Sequence, residues 1–327
     1  MKISLIFTGG TIGSEKKNGS VAPSENTQNI FLNTIEEKYK NNVEFKTVSP
    51  FTILSENSNG DILKKLTNCI RQEINENCDG IVVFHGTDTL AFSSAAIGYT
   101  VGNNVKIPIV TVSANYPHND NRSNACQNIY SAIDFILQTE EVGTFTAYKN
   151  TNGVPTIHRS TRLLEQSAFT DDVFSAGNSF FGHFNEKNIF VKNENYTEIS
   201  DETKPFDISD ISEISSVLKI KPYPAMSFPK LSSETSAVLF ESYHSGSICT
   251  DSKALKKFCF DAKEMGIPVF ISGQKCEYES AVLYDELGIK PINNIAPPSL
   301  FLKIWFATVT NRIADIEKSL ASDIINI

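Results

Sequence analysis

Two stretches of this sequence, ISLIFTGGT at residues 3–11 and GIVVFHGTDT at residues 80–89, decide its fold. Each is a short, mostly apolar run that ends in a polar turn containing glycine. Such a run is typical of a strand buried in a parallel sheet. Because ligands of open parallel sheets bind at the carboxyl ends of the strands, the two turns are the first candidates for a functional site.

Apolar runs and amphipathic segments alternate over the rest of the first half of the chain, as βα units do. We predict further strands at residues 43–48, 107–112, 142–149 and 156–162, and helices at residues 30–39, 62–74, 90–101 and 125–137. The pattern predicts an α/β protein whose larger N-terminal domain, residues 1–187, is a doubly wound, mostly parallel sheet.

The composition changes near residue 188. Residues 188–212 are polar, acidic and poor in aliphatic side chains, which is typical of a surface linker. Beyond it we predict strands at residues 217–220, 237–240 and 268–272 and helices at 252–265, 299–309 and 313–320. These elements indicate a smaller C-terminal α/β domain over residues 213–327.

Charge and composition exclude several classes of protein. The 327 residues carry a formal net charge of -9, which disfavours binding to nucleic acid or to an anionic membrane surface. The first apolar run, about five residues, is too short for a signal peptide or a membrane span, so we expect a cytoplasmic protein. None of the six cysteines forms a CxxC pair, and no His-rich cluster accompanies them. We therefore expect neither a metal nor a cofactor.

The two turns bring together groups that amide chemistry needs. Thr11 and Thr87 place hydroxyls at the strand ends, and Asp88 adds a carboxylate next to Thr87. Gly10 and Gly86 let backbone N–H groups approach a ligand and serve as donors to an oxyanion. Each turn also has a structural interpretation, because Thr and Asp commonly cap helices.

Taken together, TGGTI at residues 8–12 and HGTDT at residues 85–89 resemble the two signatures of the bacterial-type L-asparaginases. That family is related to an amidase subunit of the archaeal Glu-tRNA(Gln) amidotransferase. The resemblance implies hydrolysis of L-asparagine to L-aspartate and ammonia through a threonine nucleophile. It also implies a small-molecule substrate and a homodimer or homotetramer.

The resemblance assigns roles to individual residues. Thr11 matches the threonine that attacks the amide carbon, and Thr87 matches a second threonine that activates the hydrolytic water. Asp88 matches the carboxylate that holds the substrate's α-amino group. The remaining substrate-binding positions are Ser55, Glu56 and Ala114, the last through its backbone. Which threonine performs which step stays open at the level of sequence.

The chain departs from the family pattern in two places. Arg162, in RSTR at residues 159–162, stands where the family has a relay lysine. It can supply positive charge to Asp88, it can be a salt-bridging surface residue, or the alignment can be shifted here. The lid segment at residues 13–26 has no tyrosine, and Ser20 is nearest to the family's tyrosine position.

Two alternative functions follow from these departures. One is an amino-acid-binding or regulatory protein with weakened catalysis. The other is an ammonia-supplying amidase subunit, although that relative usually carries a segment before its TGGT turn, whereas here the turn begins at Thr8. Two further motifs lie outside these roles. His85 is expected to be structural, and residues 243–246 stand where the family sends a loop toward the active site of a neighbouring subunit.

Overall fold

The computed structural model describes residues 1–17, 20–23, 25–40, 42–210 and 216–326. Its strands are β1 (Lys2–Phe7), β2 (Ser14–Lys17), β3 (Ser20–Pro23), β4 (Glu44–Val48), β5 (Gly80–Phe84), β6 (Pro108–Val112), β7 (Gly143–Lys149), β8 (Pro155–Arg159), β9 (Gly182–Phe184), β10 (Phe190–Lys192), β11 (Ser216–Ile220), β12 (Thr235–Glu241), β13 (Val269–Gly273) and β14 (Ile289–Asn293). Its helices are α1 (Glu25–Tyr39), α2 (Gly60–Asn75), α3 (Leu90–Val101), α4 (Ala125–Gln138), α5 (Lys253–Glu264), α6 (Leu283–Glu286) and α7 (Pro297–Val309).

The first sheet has eight strands in the order β10-β9-β8-β7-β6-β5-β1-β4. Five neighbouring strands pair in parallel, in the spatial order β4, β1, β5, β6 and β7. Strands β8, β9 and β10 then pair antiparallel at one edge. Strands β5 and β6 are buried along their whole length, as expected for a parallel sheet covered on both faces. The predicted doubly wound, mostly parallel sheet is confirmed.

The second sheet has four parallel strands in the order β11-β12-β13-β14. Helix α7 is apolar along most of its length and shares a buried cluster with α3 of the first sheet, in which Ala95 and Tyr99 meet Leu302 and Phe306. A helix that is apolar on several faces needs partners on more than one side. Helix α7 therefore packs between the two sheets.

One helix predicted for the second half of the chain was wrong in part. Residues 313–320 were predicted as a helix, but only Ile313–Asp315 forms a short 3-10 helix. The reason is tertiary: the backbone N–H of Ser319 donates to the Glu202 carboxylate at 2.9 Å, and its carbonyl accepts from the backbone N–H of Glu202 at 2.9 Å. Helical periodicity cannot register these long-range constraints.

The segment predicted as a surface linker is packed rather than loose. Strand β10 lies within it and completes the first sheet, and Tyr196, Phe206 and Ile208 are buried. Residues 211–215 lie outside the described part of the chain. The limits of the two domains, at residues 187 and 213, stay a prediction.

In the described part of the chain, no helix is long and apolar enough to cross a membrane.

Candidate active site

The two glycine-containing turns lie side by side at the carboxyl edge of the first sheet. Strands β1 and β5 are parallel neighbours in which Phe7 is paired with Phe84, and the two rings stack with centroids 4.2 Å apart. Thr8 then donates to the carbonyl of Phe84 twice, from its backbone N–H at 3.2 Å and from its hydroxyl at 2.7 Å. These contacts hold the end of β1 against the end of β5, so the residues that follow meet.

Gly10 and Gly86 are the point of closest approach between the turns. A Cβ added to Gly10 would lie 2.3 Å from the Cα of Gly86 and 2.4 Å from its backbone nitrogen. Gly10 also has a φ of +71°, where other residues are strained. Since Thr11 follows Gly10 and Thr87 follows Gly86, the contact brings the two threonines to one place.

Ser55 joins the turns from a third segment, the short 3-10 helix Ser55–Asn57. Its hydroxyl donates to the Asp88 carboxylate at 3.1 Å, and its carbonyl accepts from the hydroxyl of Thr89 at 3.1 Å. A Cβ added to Gly86 would lie 2.4 Å from the Ser55 hydroxyl oxygen. Ser55, Gly86 and Asp88 therefore form one contact group.

The four threonines of the two turns differ in what their hydroxyls do. Those of Thr8 and Thr89 are committed to the carbonyls just described. Those of Thr11 and Thr87 have no hydrogen-bond partner in the described part of the chain, and both residues are only half-buried. The structure thus leaves free the two hydroxyls that a substrate could reach.

The electrostatics of the site suit a ligand that carries both charges. Helix α3 begins at Leu90, directly after the second turn, and the N-terminal end of a helix carries partial positive charge. Asp88 lies exposed beside that end. The edge therefore offers a carboxylate for a cationic group and a helix terminus for an anionic one, which suits a zwitterion.

His85 has a structural position. Its Nδ1 donates to the carbonyl of Gly86 at 2.8 Å, and burial lowers the pKa of the ring. The hydrogen bond from the ring holds the carbonyl of Gly86 in place, so His85 supports the second turn.

Glu56 and Ala114, the other predicted substrate-binding residues, lie at the same edge. Glu56 is exposed in the 3-10 helix of Ser55. Ala114 is fully buried two residues after β6, the strand next to β5. Beside it, Asn128 donates to the carbonyl of Ser113 at 2.8 Å and accepts from the backbone of Lys149 at 2.7 Å. Asn128 thus ties the ends of β6 and β7, a role that no sequence pattern revealed.

The structure corrects the predicted place of Arg162. Its guanidinium is buried and donates to the carbonyls of Ser322 at 2.7 Å, Thr197 at 2.9 Å and Ile324 at 3.0 Å. None of these carbonyls belongs to either active-site turn. Arg162 therefore fastens the C-terminal segment, and the contacts give no support to a role beside Asp88 and Thr87.

The two other predicted features are the lid segment and residues 243–246. The lid forms the β2–β3 hairpin, but residues 18, 19 and 24 and the side chains of residues 16–26, Ser20 included, are outside the described part. Residues 243–246 follow β12 and contribute Tyr243 and His244 to a cavity of about 470 Å³ at the carboxyl edge of the second sheet. Within the described residues, no group of three or more His, Cys, Asp or Glu could hold a metal ion.

The carboxyl edge of the first sheet thus carries two touching glycine turns, the threonines that follow the glycines, and the Asp88 carboxylate. The family model described as "Asparaginase, N-terminal" matches residues 2–197, and the chain belongs to this asparaginase family of amidohydrolases. The predicted family is confirmed.

The chain is similar to curated proteins named as subunits of an amidotransferase. A glutamyl-tRNA(Gln) amidotransferase subunit from Methanosarcina mazei is 34% identical over 184 residues, covering 54% of this chain and 42% of the relative. The protein of the same name from Methanococcus maripaludis is 30% identical over 236 residues, covering 68% and 54%. The chain thus spans about half the length of the curated relatives it matches.

Solved structures share the whole fold. The thermostable L-asparaginase from Thermococcus kodakarensis has a TM-score of 0.80 at 21% identity and covers 100% of both chains. The probable cytoplasmic L-asparaginase from Campylobacter jejuni has a TM-score of 0.77 at 18% identity, covering 97% of this chain and 99% of that one. At these identities the likeness concerns the fold.

Proposed function

We propose that this protein hydrolyses L-asparagine to L-aspartate and ammonia, with one of the two free threonines as nucleophile. The observation that carries the proposal is the difference among the four threonine hydroxyls. Those of Thr11 and Thr87 have no hydrogen-bond partner among the described residues, and they lie in turns whose glycines touch. A hydroxyl already bonded to a backbone carbonyl, like those of Thr8 and Thr89, is a poorer candidate.

The substrate's charged ends have matching groups at the same edge. The Asp88 carboxylate is suited to the α-amino group, with Ser55 fixing its orientation through their 3.1 Å hydrogen bond. Glu56 offers a second carboxylate for the same cation. The N-terminal end of α3 and the backbone N–H of Gly86 are suited to oxygen anions. The backbone N–H of Gly10, expected from sequence to be a second donor, instead donates to the carbonyl of Ile53 at 2.8 Å.

The reaction then proceeds in two steps, formation of an acyl-enzyme and its hydrolysis. The Thr11 hydroxyl oxygen bonds to the side-chain amide carbon, the C–N bond breaks, and the hydroxyl proton ends on the departing nitrogen as ammonia. Water, oriented by Thr87, next attacks the acyl-enzyme ester, which yields aspartate and restores the Thr11 hydroxyl. If Thr87 is the nucleophile instead, the two threonines exchange these roles.

Replacing either threonine tests the proposal. We expect Thr11→Ala and Thr87→Ala each to lower kcat for ammonia release from asparagine by about 10³-fold or more, because nucleophile and relay act as a unit. The double variant should be little worse than either single one. Thr11→Ser and Thr87→Ser, which retain the hydroxyl, are the matched controls and should keep measurable turnover.

The outcome also separates the alternatives. Wild-type protein that releases no ammonia from asparagine, glutamine or other small amides contradicts the proposal. If calorimetry then shows that aspartate binds, the protein is an amino-acid-binding protein rather than a hydrolase.

A second candidate role rests on the names of the curated relatives. They are subunits of a glutamyl-tRNA(Gln) amidotransferase, so this chain could release ammonia for a partner. The net charge of -9 disfavours direct contact with tRNA. Ammonia release from glutamine that rises when a charged tRNA and a partner subunit are added would favour this role over independent hydrolysis of asparagine.

The assembly and location are proposals of the same kind. We propose a homodimer or homotetramer in the cytoplasm, by analogy with the asparaginases that share the fold. Sedimentation equilibrium measures the first directly, and a monomer at micromolar concentration would contradict it.

A further inference from the structure

Arg162 is committed to the C-terminal segment, so any basic side chain that serves the two turns must come from elsewhere in the fold. Lys219 is such a side chain. It lies on β11 of the second sheet, more than 130 residues from Asp88 in sequence, and no motif surrounds it.

Two carboxylates and one ring fix the position of the Lys219 amine. It forms ion pairs with Glu165 and, at 2.8 Å, with Glu241. It also lies over the ring of Phe92, 5.1 Å from the centroid. The Lys219 side chain is only 23% exposed, so solvent screens its charge less than that of a surface lysine.

The ring beneath Lys219 belongs to the helix that starts at the active site. Phe92 is the third residue of α3, and α3 begins two residues after Asp88. The contact with the Phe92 ring therefore places the amine beside the first turn of the helix that follows the second active-site turn.

The residue that pairs with Lys219 approaches the same helix turn. Leu163, two residues before Glu165, shares a buried cluster with Leu90 and Ala91, the first two residues of α3. Both members of the Lys219–Glu165 pair are thus connected to the start of α3: the amine contacts the Phe92 ring, and the chain two residues before Glu165 packs on Leu90 and Ala91.

We propose that Lys219 is a positioning residue of the active site and supplies the positive charge beside the start of α3. The inference rests on the proposed amide hydrolysis and adds to it a residue from the other sheet. The Lys219 charge adds to the positive end of α3 and stabilises the oxygen anion that develops on the substrate. Glu165 and Glu241 hold the amine in place.

The first experiment compares Lys219→Met with Lys221→Met in the full chain. Lys221 is two residues further along, and its side chain is 81% exposed, so its removal controls for loss of a nearby charge. We expect Lys219→Met to lower kcat about tenfold or more with KM within twofold, because the charge acts on the transition state. Lys221→Met should retain wild-type kcat, and Lys219→Arg, which keeps the charge, should retain most of it.

A double variant distinguishes supply of charge from simple neutralisation of Glu165. If Lys219 supplies charge to the site, Lys219→Met/Glu165→Gln stays as slow as Lys219→Met. If the double variant regains wild-type kcat, Lys219 only neutralises Glu165 and the proposal is overturned. Lys219→Gln takes the place of the Met variant if thermal unfolding shows that the latter does not fold.

The remaining outcomes are also decisive. If the wild-type protein hydrolyses an amide and Lys219→Met is equally active, this inference is overturned and the proposed hydrolysis still holds. If the wild-type protein turns over no amide, the proposed hydrolysis is contradicted, and this inference fails with it. Equal losses in Lys219→Met and Lys219→Arg, with unchanged stability, show that side-chain shape matters rather than charge, and this also overturns it.

Discussion

At the scale of single residues, the site depends on two glycines that touch. A Cβ on Gly10 would clash with the backbone of Gly86, and a Cβ on Gly86 would clash with Ser55. Each glycine is followed by a threonine whose hydroxyl has no hydrogen-bond partner in the described part of the chain. The sequence shows both glycines but not their contact, since 76 residues separate them. The contact follows from the parallel pairing of β1 with β5.

Gly10→Ala tests the contact, with Gly13→Ala as its control. The added methyl group would clash with the backbone of Gly86 and meet a φ of +71°, so we expect kcat/KM to fall about 100-fold. The free energy of unfolding should fall by about 1–3 kcal/mol. Gly13 lies three residues away, and a Cβ there has no atom within 4 Å.

Gly13→Ala should therefore retain activity within about threefold. Steady-state kinetics and urea unfolding of both variants provide the comparison. Equal losses in the two would show that the segment is sensitive to any substitution, rather than to the Gly10–Gly86 contact.

At the scale of elements, a short 3-10 helix explains why Arg162 was misplaced by sequence reasoning. The helix Ser160–Arg162 follows β8 and points the guanidinium toward the C-terminal segment, where it also lies 4.5 Å from the centroid of the Tyr196 ring. A motif match aligns residue types along the chain, but the direction of a side chain depends on the turn that carries it.

Arg162→Lys separates the structural role from the catalytic one. A lysine cannot span three carbonyls as the planar guanidinium does, so buried acceptors lose their partners. We expect the free energy of unfolding to fall by about 2–4 kcal/mol, while kcat of the folded protein stays within about twofold.

The control is Arg122→Lys, an exposed arginine paired with Asp120. It should change stability by less than about 0.5 kcal/mol. A large loss of kcat in Arg162→Lys without loss of stability would instead restore the interpretation in which Arg162 acts beside Asp88.

At the scale of the whole molecule, one buried carboxylate connects the two halves. Asp323 accepts hydrogen bonds from Tyr99 of α3 at 2.8 Å and from Lys303 of α7 at 2.6 Å. The side chains of Lys303 and Asp323 are both 0% exposed. A buried ion pair is costly to break one partner at a time, because the other charge is left without compensation.

Asp323→Ala should lower the free energy of unfolding by about 3–5 kcal/mol, because the Lys303 ammonium would be left buried. The double variant Lys303→Met/Asp323→Leu removes both charges and should recover much of that loss. Denaturant unfolding of the single and double variants measures the coupling.

Lys290→Ala breaks an exposed pair with Glu317 and should change stability by less than about 0.5 kcal/mol. If Asp323→Ala lowered the free energy of unfolding as little as this control, the contacts of Asp323 with Tyr99 and Lys303 would not hold the two halves together.

The sequence by itself determined the two turns, the strands that precede them, and the family. The bounds of β5 and α3 agree with the prediction residue for residue, because apolar periodicity and glycine placement are local properties that a short window contains. Thr11, Thr87 and Asp88 could be selected for the same reason.

Only the tertiary structure decided which side chains surround those three. Ser55 reaches Asp88 from a separate 3-10 helix, Arg162 bonds to the C-terminal segment, and Lys219 of the second sheet contacts Phe92 in the first turn of α3. These placements depend on how α3 and α7 pack between the sheets, and long-range packing leaves no periodic signal in the residues that it brings together. The sequence therefore determines the reactive turns, and the packing of the sheets determines the charges around them.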